Sequence, residues 1–506
     1  MNYKLITGVW ELTMECNMRC KHCGSGCAEK QEGELNTDEA LRLCDELKTL
    51  EIQSVSLSGG EPTLRRDWPA IAKKLTDYGI QTNMITNAWL LDEPLVLEAK
   101  KASITTIAVS IDGLEETHDH IRLKNSFIKC IAALKLIKTH GILPSVITAV
   151  NKLNIDELEE MYLLLKDIGI DTWQLQIALP MGNFKQQTAF YLEPYHINQI
   201  IDFAHSKLPE QMKIVLGDNI GYYNKKILDI YQKISPDGAY WQGCTAGRYS
   251  IGILHNGDIT GCTSMRDKQF IEGNIRERSL VDIWNSEDTF LWNRQFNKTS
   301  LKGLCAKCQY SLCRGGCSNA RLCMNGDIYS ENKYCSYHIE FTRVAEKIAG
   351  INDYDKLRKN AYVLASKGQF QSAELVLSKL IQLGYESIED KELLAYVHFE
   401  LGNFEMCEQI NKEVLEVDPE NAYASKGLGL ALYKIGRTED GLNHLYRAID
   451  MKKGVNAEVY YDLFSVLLEL KREDDAREVR DMAKSCSNYS VWQEKFDAAL
   501  TEILAS

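Results

Sequence analysis

The chain has 506 residues, 45% of them apolar and 25% charged, enough for two to four domains with ample core. Its formal net charge of −13 argues against nucleic acid or an anionic membrane as partner, since either wants a basic surface. No run of ~18 apolar residues occurs, and the opening MNYKLITGVWELTMEC lacks the charged and apolar regions of an export signal, so the expectation is a cytoplasmic protein with no membrane partner.

From residue 3 to about 216, strand-like runs alternate with amphipathic stretches. The predicted strands are Leu5–Leu12, Ser54–Leu57, Thr82–Ile85, Thr105–Ile111, Leu143–Val150 and Trp173–Leu179. Between them, helices are predicted at Thr37–Leu50, Trp68–Tyr78, Phe127–His140 and Asp156–Ile168. Strand then helix, about six times over, argues for parallel βαβ units in a barrel or open sheet, with active groups on loops at the carboxyl ends of the strands. The segment 236–345 is turn-rich and dense in cysteine and glycine; so small a core wants an external tie. The segment 350–506 is helical throughout and repetitive. Gly368, Gly402 and Gly436 recur every 34 residues, Lys471 follows 35 later, and five residues past each comes a small side chain: Ala373, Cys407, Gly441 and Ala476. This is the tetratricopeptide period, with the small residues where paired helices approach closely. An ordinary helical bundle is the alternative.

Sixteen cysteines occur, fourteen of them before residue 336. In a reducing compartment, clustered thiols are more often metal ligands than disulfides. A disulfide-rich secreted domain is the alternative, weakened by the missing export signal and by a length that needs no staples. The first motif is Cys16-Asn-Met-Arg-Cys20-Lys-His-Cys23, a C-x3-C-x2-C pattern on the loop after the first strand. Three thiolates can ligate three irons of a four-iron cluster and leave the fourth open. Zinc, the competitor, prefers four ligands in paired C-x2-C spacing. Cys27 is either a fourth ligand or a bystander thiol beside the site.

Gly59-Gly60-Glu61-Pro62 begins 36 residues after Cys23. With the cysteine spacing and its place after the first strand, this resembles the radical S-adenosylmethionine superfamily. The resemblance implies a partial (β/α)6 TIM-like barrel and a [4Fe–4S] cluster bound by three cysteines. It also implies that the open iron chelates S-adenosyl-L-methionine, whose amino group meets Gly59, Gly60 and Glu61. The aromatic residue common before the third cysteine is here His22, which would pack over adenine. Thr86-Asn87-Ala88 stands where TNG is usual, and Ser110-Ile-Asp112-Gly113 ends the fourth strand. His118-Asp119-His-Ile-Arg122 matches an HD-x-x-R segment of peptide-modifying members. By the resemblance, Asn87, Ser110 and Arg122 contact the cofactor, and Arg122 meets the methionyl carboxylate, a pairing suited to a guanidinium. A surface ion pair with Asp119 is the alternative for Arg122, and Asp112 and His118 have loop-shaping as theirs.

Downstream run Cys244, Cys262, Cys305, Cys308, Cys313, Cys317, Cys323 and Cys335. This array resembles the SPASM extension of radical enzymes that modify peptides and proteins, although Cys308 to Cys313 has four intervening residues where five are usual. The resemblance implies two auxiliary [4Fe–4S] clusters, one on Cys244, Cys262 and Cys317, the other on Cys305, Cys308, Cys313 and Cys335. No cysteine stands in 214–243, so an open iron is expected on the first of them unless Cys323 fills it. The implied organisation is 1–216 barrel, 236–345 auxiliary-cluster domain and 350–506 tetratricopeptide repeats. The implied function is a maturase that generates a 5′-deoxyadenosyl radical, takes hydrogen from a ribosomally made peptide or protein, and leaves an oxidative crosslink or oxidised side chain. Its partners would be that substrate, captured by the repeats, and an electron donor such as flavodoxin or ferredoxin. Sulfatase-type maturation, a small-molecule (tetrapyrrole) reaction, and a non-enzymatic electron carrier fused to a binding module are the alternatives. No general base is singled out.

Overall fold

A computed structural model describes residues 3–217, 219–234, 242–385, 387–451 and 455–504. The chain divides into two compact units, Met1–Ile339 and Glu340–Ser506, so both cysteine arrays belong to one body. The expected boundary at 236 falls outside the described residues.

The first unit is built on one sheet of ten described strands in the order β10-β9-β8-β1-β2-β3-β4-β5-β6-β7. These are β1 Thr7–Glu11, β2 Ser54–Ser58, β3 Gln81–Thr86, β4 Thr106–Ser110, β5 Leu143–Val150, β6 Thr172–Ile177, β7 Lys213–Leu216, β8 Ser250–Ile253, β9 Asp258–Thr260 and β10 Ile271–Asn274. The six predicted strands are β1 to β6. β1 through β7 are parallel throughout, and β8 returns to pair in parallel with the free edge of β1, Thr7 opposite Ser250. With β7 at one edge and β10 at the other, the sheet is a partial barrel.

The connecting helices fall where the apolar periodicity put them: Thr37–Thr49, Trp68–Asp77, Ser126–Thr139 and Leu158–Ile168, the last behind a 3-10 turn at Ile155–Glu157. Asn36 starts the first with a capping box to Glu39, which satisfies two backbone donors reciprocally. Leu43, Leu47, Val55, Leu57, Ile71 and Leu75 are fully buried in one continuous core. Because the strands are parallel, the loops after β1, β2, β3, β4, β6 and β7 all open at the same end of the sheet.

The second unit is all helix. Tyr354–Ser366 pairs with Phe370–Gln382, Ile388–Glu400 with Phe404–Val417, Ala422–Lys434 with Thr438–Asp450 and Ala457–Glu469 with Glu473–Ala483, and Tyr489–Leu504 follows. Each marker found in the sequence is the left-handed residue of the turn inside a pair: Gly368 at φ +69°, Gly402 at +75°, Gly436 at +88° and Lys471 at +59°. Glycine takes that conformation freely, whereas lysine is strained there. The small residues lie at the helix contacts. A Cβ on Gly441 would stand 2.8 Å from the Gly429 carbonyl oxygen, and Ala373, Cys407 and Ala476 are buried.

Candidate functional site

The loop after β1 carries Cys16, Cys20 and Cys23, and every neighbouring loop ties it down. Gly60 N–H donates to the Thr13 carbonyl (2.7 Å) and Glu61 N–H to the Glu15 carbonyl (2.8 Å). That approach requires the two glycines. Gly59 has φ +144° and a Cβ there would lie 2.5 Å from Thr13 O, while one on Gly60 would lie 2.2 Å from Glu15 O. The Glu61 carboxylate, 1% exposed, accepts from Thr63 Oγ1 (2.7 Å), Thr86 Oγ1 (2.8 Å) and Asn87 N–H (2.8 Å). Burial pushes its carboxyl pKa up, and those donors pull it back. Glu61 therefore staples the β2 loop to the β3 loop.

Asn87 Nδ2 then donates to Asn17 Oδ1 (2.7 Å) and lies 3.8 Å from Cys16 Sγ. From the other side, Asn183 on the loop after β6 donates its backbone N–H to Cys23 O (2.9 Å) and its side chain to Cys20 O (3.1 Å). The three thiols sense one another. Burial raises Cys16, and burial raises Cys20 to about 11 against the pull of Arg122, with the neighbouring thiols adding to both. The Cys27 thiol hydrogen-bonds to Cys23 and pulls it below the usual thiol range. Cys27 is itself buried, its sulfur 3.6 Å from Met14 Sδ.

At the end of β4, Asp112 is fully buried at the centre of a charged knot. Its Oδ2 receives Arg122 Nε and lies 2.9 Å from His22 Nε2, and its Oδ1 accepts from Ala149 N–H (2.8 Å). Burial alone would raise this carboxyl, but Arg122 and His22 hold it well below the usual carboxylate range. Asp112 N–H donates to His118 Nδ1 (3.1 Å). Burial, with Arg122, lowers His118 to about 4, which keeps Nδ1 an acceptor. Arg122 thus pairs with Asp112 and not with Asp119, which instead accepts from Ser126 Oγ (3.3 Å) and Phe127 N–H (2.9 Å). The Arg122 Nη1 reaches to 3.9 Å from Cys20 Sγ. Ser110 closes β4, and its carbonyl faces the Cys130 thiol at 3.8 Å. The His22–Asp112 pair gave no spacing signal, because its partners are ninety residues apart and meet only in the sheet.

Downstream, Cys305, Cys308, Cys313 and Cys335 come together. Burial raises each thiol, and neighbouring thiols of the set raise Cys313, Cys308 (to about 11) and Cys335 (to about 12) further. Cys317 sits at the start of helix Ser318–Asn325, its sulfur accepting from Ala320 N–H (3.4 Å). Cys323 is raised to about 11 by burial, with Cys262 among the groups acting on it. The Cys244 carbonyl is held by Asn293 Nδ2 (2.9 Å). Arg266 joins the arrays: its guanidinium pairs with the buried Glu11 of β1 and donates to Ser25 Oγ (2.6 Å) beside Cys23. Among the described residues, no three His, Cys, Asp or Glu side chains are gathered closely enough to hold one metal ion, and no helix is long and apolar enough to cross a membrane.

Comparison with known proteins agrees with this architecture. The sequence pattern of the Radical SAM superfamily matches residues 10–165, and that of the iron–sulfur cluster-binding SPASM domain matches 244–309. The AdoMet-dependent heme synthase of Methanosarcina barkeri is 29% identical over 340 residues, covering 65% of this chain and 95% of that protein. The mycofactocin maturase MftC of Mycolicibacterium smegmatis is 26% identical over 323 residues, covering 62% and 78%. The crystal structure of Streptococcus suis SuiB bound to S-adenosylmethionine shares the fold, with a TM-score of 0.53 at 18% identity over 65% of this chain and 77% of that one. Residues 10–165 therefore form a radical SAM domain and 244–309 a SPASM domain, and the protein is an enzyme that uses S-adenosylmethionine and a [4Fe–4S] cluster, with the SPASM domain for further iron–sulfur clusters.

Proposed function

We propose that the enzyme matures a ribosomally made peptide or protein by oxidative modification, a crosslink or an oxidised side chain. The observation that carries this reading is the all-helical unit of paired helices joined to the cluster-bearing unit. Tandem helix pairs of tetratricopeptide type offer extended surfaces that suit a peptide segment and have no evident use for a small molecule. The MftC maturase among the relatives, and a structural neighbour solved with its precursor peptide SuiA, support it.

In this reading Cys16, Cys20 and Cys23 hold the first cluster. A cuboidal cluster meets its thiolates at separate irons, so they stand wider apart than the ~4 Å edge of a tetrahedron of sulfurs around one ion with ~2.3 Å bonds. The donor set fits such a group: three thiols on one tied-down loop, an amide from Asn87 beside one sulfur and a guanidinium from Arg122 beside another. With S-adenosylmethionine, the cluster supplies an organic radical able to remove hydrogen from an unactivated carbon. The chain's own residues do the rest. The carbonyls of the Gly59–Glu61 loop accept from the methionyl amino group, and Arg122, aimed by Asp112, faces the carboxylate. Asn87 and Ser110 line the remaining wall. Cys244, Cys262 and Cys317, and Cys305, Cys308, Cys313 and Cys335, would hold two auxiliary clusters, whose chemistry would be one-electron transfer. A one-electron donor such as flavodoxin or ferredoxin, in a cytoplasmic setting, completes the cycle.

A second reading, tetrapyrrole modification, is favoured by the heme synthase relative. That protein is matched almost end to end by 65% of this chain, which leaves no room in it for a counterpart of the helical unit. The test is direct. Anaerobically reconstituted enzyme should hold about twelve irons and release 5′-deoxyadenosine with dithionite and S-adenosylmethionine, and a Cys16/Cys20/Cys23 triple Ala variant should not release it. Offered iron-coproporphyrin or short peptides encoded beside its gene, it should change the mass of a peptide. Conversion of the porphyrin alone overturns the first reading in favour of the second.

A further inference from the structure

The loop after β7 sends one side chain into the second cysteine array. Tyr222 is 2% exposed and has φ +67°, a left-handed conformation that bulky residues adopt only when their surroundings enforce it. Two contacts enforce it. The preceding Gly221 carbonyl accepts from Ser336 N–H (3.1 Å), next to Cys335. The ring lies where Gly316, at φ +76°, leaves space: a Cβ there would stand 2.4 Å from the phenol carbon that bears the hydroxyl. The same ring packs among Cys313, Cys317 and Cys335.

The phenol oxygen accepts the backbone N–H of Cys317 (2.9 Å) and the Asn332 Nδ2 amide (2.9 Å). Asn332, itself 2% exposed, is the hinge to the other cysteines. Its backbone N–H donates to Cys305 Sγ (3.4 Å), its carbonyl accepts from Cys335 N–H (3.2 Å) and its Oδ1 accepts from Tyr334 N–H (3.0 Å). One hydroxyl therefore spans the gap between Cys317, assigned above to one auxiliary cluster, and Cys305, Cys313 and Cys335, assigned to the other.

We propose that Tyr222 is the positioning residue that joins the two auxiliary cluster sites, holding Cys317 against the second cysteine set and keeping two amide protons off the cluster sulfurs. This rests on the two-cluster assignment made above. Hydrogen bonds to the sulfurs are one of the levers that set a cluster's potential, because a donated proton stabilises the more negative, reduced form. Without the hydroxyl, the side-chain amide of Asn332, a residue whose backbone N–H already meets Cys305 Sγ, is released to turn to a sulfur, and an auxiliary cluster becomes easier to reduce.

The test compares Tyr222→Phe with Tyr223→Phe in the full chain, reconstituted anaerobically, by iron content and by a redox titration followed by EPR. Tyr223 is the neighbouring ring, stacked on Tyr310 at 4.4 Å. Expected is full iron in both, with an upward shift of an auxiliary potential in Tyr222→Phe alone and the first cluster's signal as internal reference. Loss of auxiliary iron in Tyr222→Phe alone also supports the role, since the two variants remove the same atom from adjacent rings. An auxiliary potential that is unchanged or lowered at full iron overturns it, as does equal iron loss in both. Only about four irons in the unsubstituted enzyme overturns the auxiliary assignment itself, and Tyr222's role with it, while the first site stands.

Discussion

The two cysteine arrays reach buried thiols by opposite routes. Cys16, Cys20 and Cys23 sit on a loop held by Gly60 and Glu61 after β2, Asn87 after β3 and Asn183 after β6, three strands of a well-packed barrel. Around Cys313 the buried apolar cluster is little more than Tyr222 and the thiols themselves, in a segment of short helices and turns. A sheet can preorganise the first site before any iron arrives. The second has so little core of its own that its clusters serve as core, in the way a structural metal folds a small domain.

That contrast can be broken. Chelating the iron should expose the backbone of 303–335 to hydrogen exchange while β1 to β6 keep their protection; equal loss in both would erase the distinction. Within the preorganised site, Asp112→Ala leaves Arg122 and His22 beside a buried gap. Removing one partner of a buried charge pair costs about 3–5 kcal/mol, which urea unfolding of the barrel should register. A loss under about 1 kcal/mol would place Asp112 among the weak surface pairs. His118 gives a pH signature. Its imidazole titrates near 6.5 when unfolded and about 4 when folded, so the unfolded chain binds the extra proton between those values. Stability should fall as pH drops through that window, by about 2 kcal/mol at pH 5 relative to pH 7, and His118→Gln should flatten the difference. The smallest effect is expected at Ala88, left-handed at φ +59° in the β3 loop. Ala88→Gly should stabilise the barrel by about 0.5–1 kcal/mol, read as a raised urea midpoint.

Much of the barrel was legible because its signals are local. Alternating burial in Thr7–Glu11 or Gln81–Thr86, the capping residue Asn36 and the two glycines of the β2 loop each announce themselves within a few residues. The strands that sequence reading missed, β7 to β10, are three or four residues each, too short for a period to show; Lys213–Leu216 and Ser250–Ile253 are strands by pairing with β6 and with β1. The site divides in the same way. The cysteines and the Gly-Gly turn were readable as motifs. The roles of Asp112, as counter-charge to both His22 and Arg122, and of Tyr222 were not, because each is defined by partners tens of residues away. Lys471, placed in the series by its spacing and by Ala476 five residues on, occupies the turn position that glycine marks in the three pairs before it, and it shares their left-handed backbone.

The pairing of β1 with β8 also bears on synthesis. β1 ends at Glu11 and its second neighbour ends at Ile253, so one edge of the barrel's first strand has no partner until some 240 further residues have emerged. At ~5–20 residues per second, that interval lasts roughly ten to fifty seconds. Throughout it the strand that leads into the cysteine loop has its barrel neighbours on one side and no β8 on the other, so that edge stays open until the second array's segment is being made.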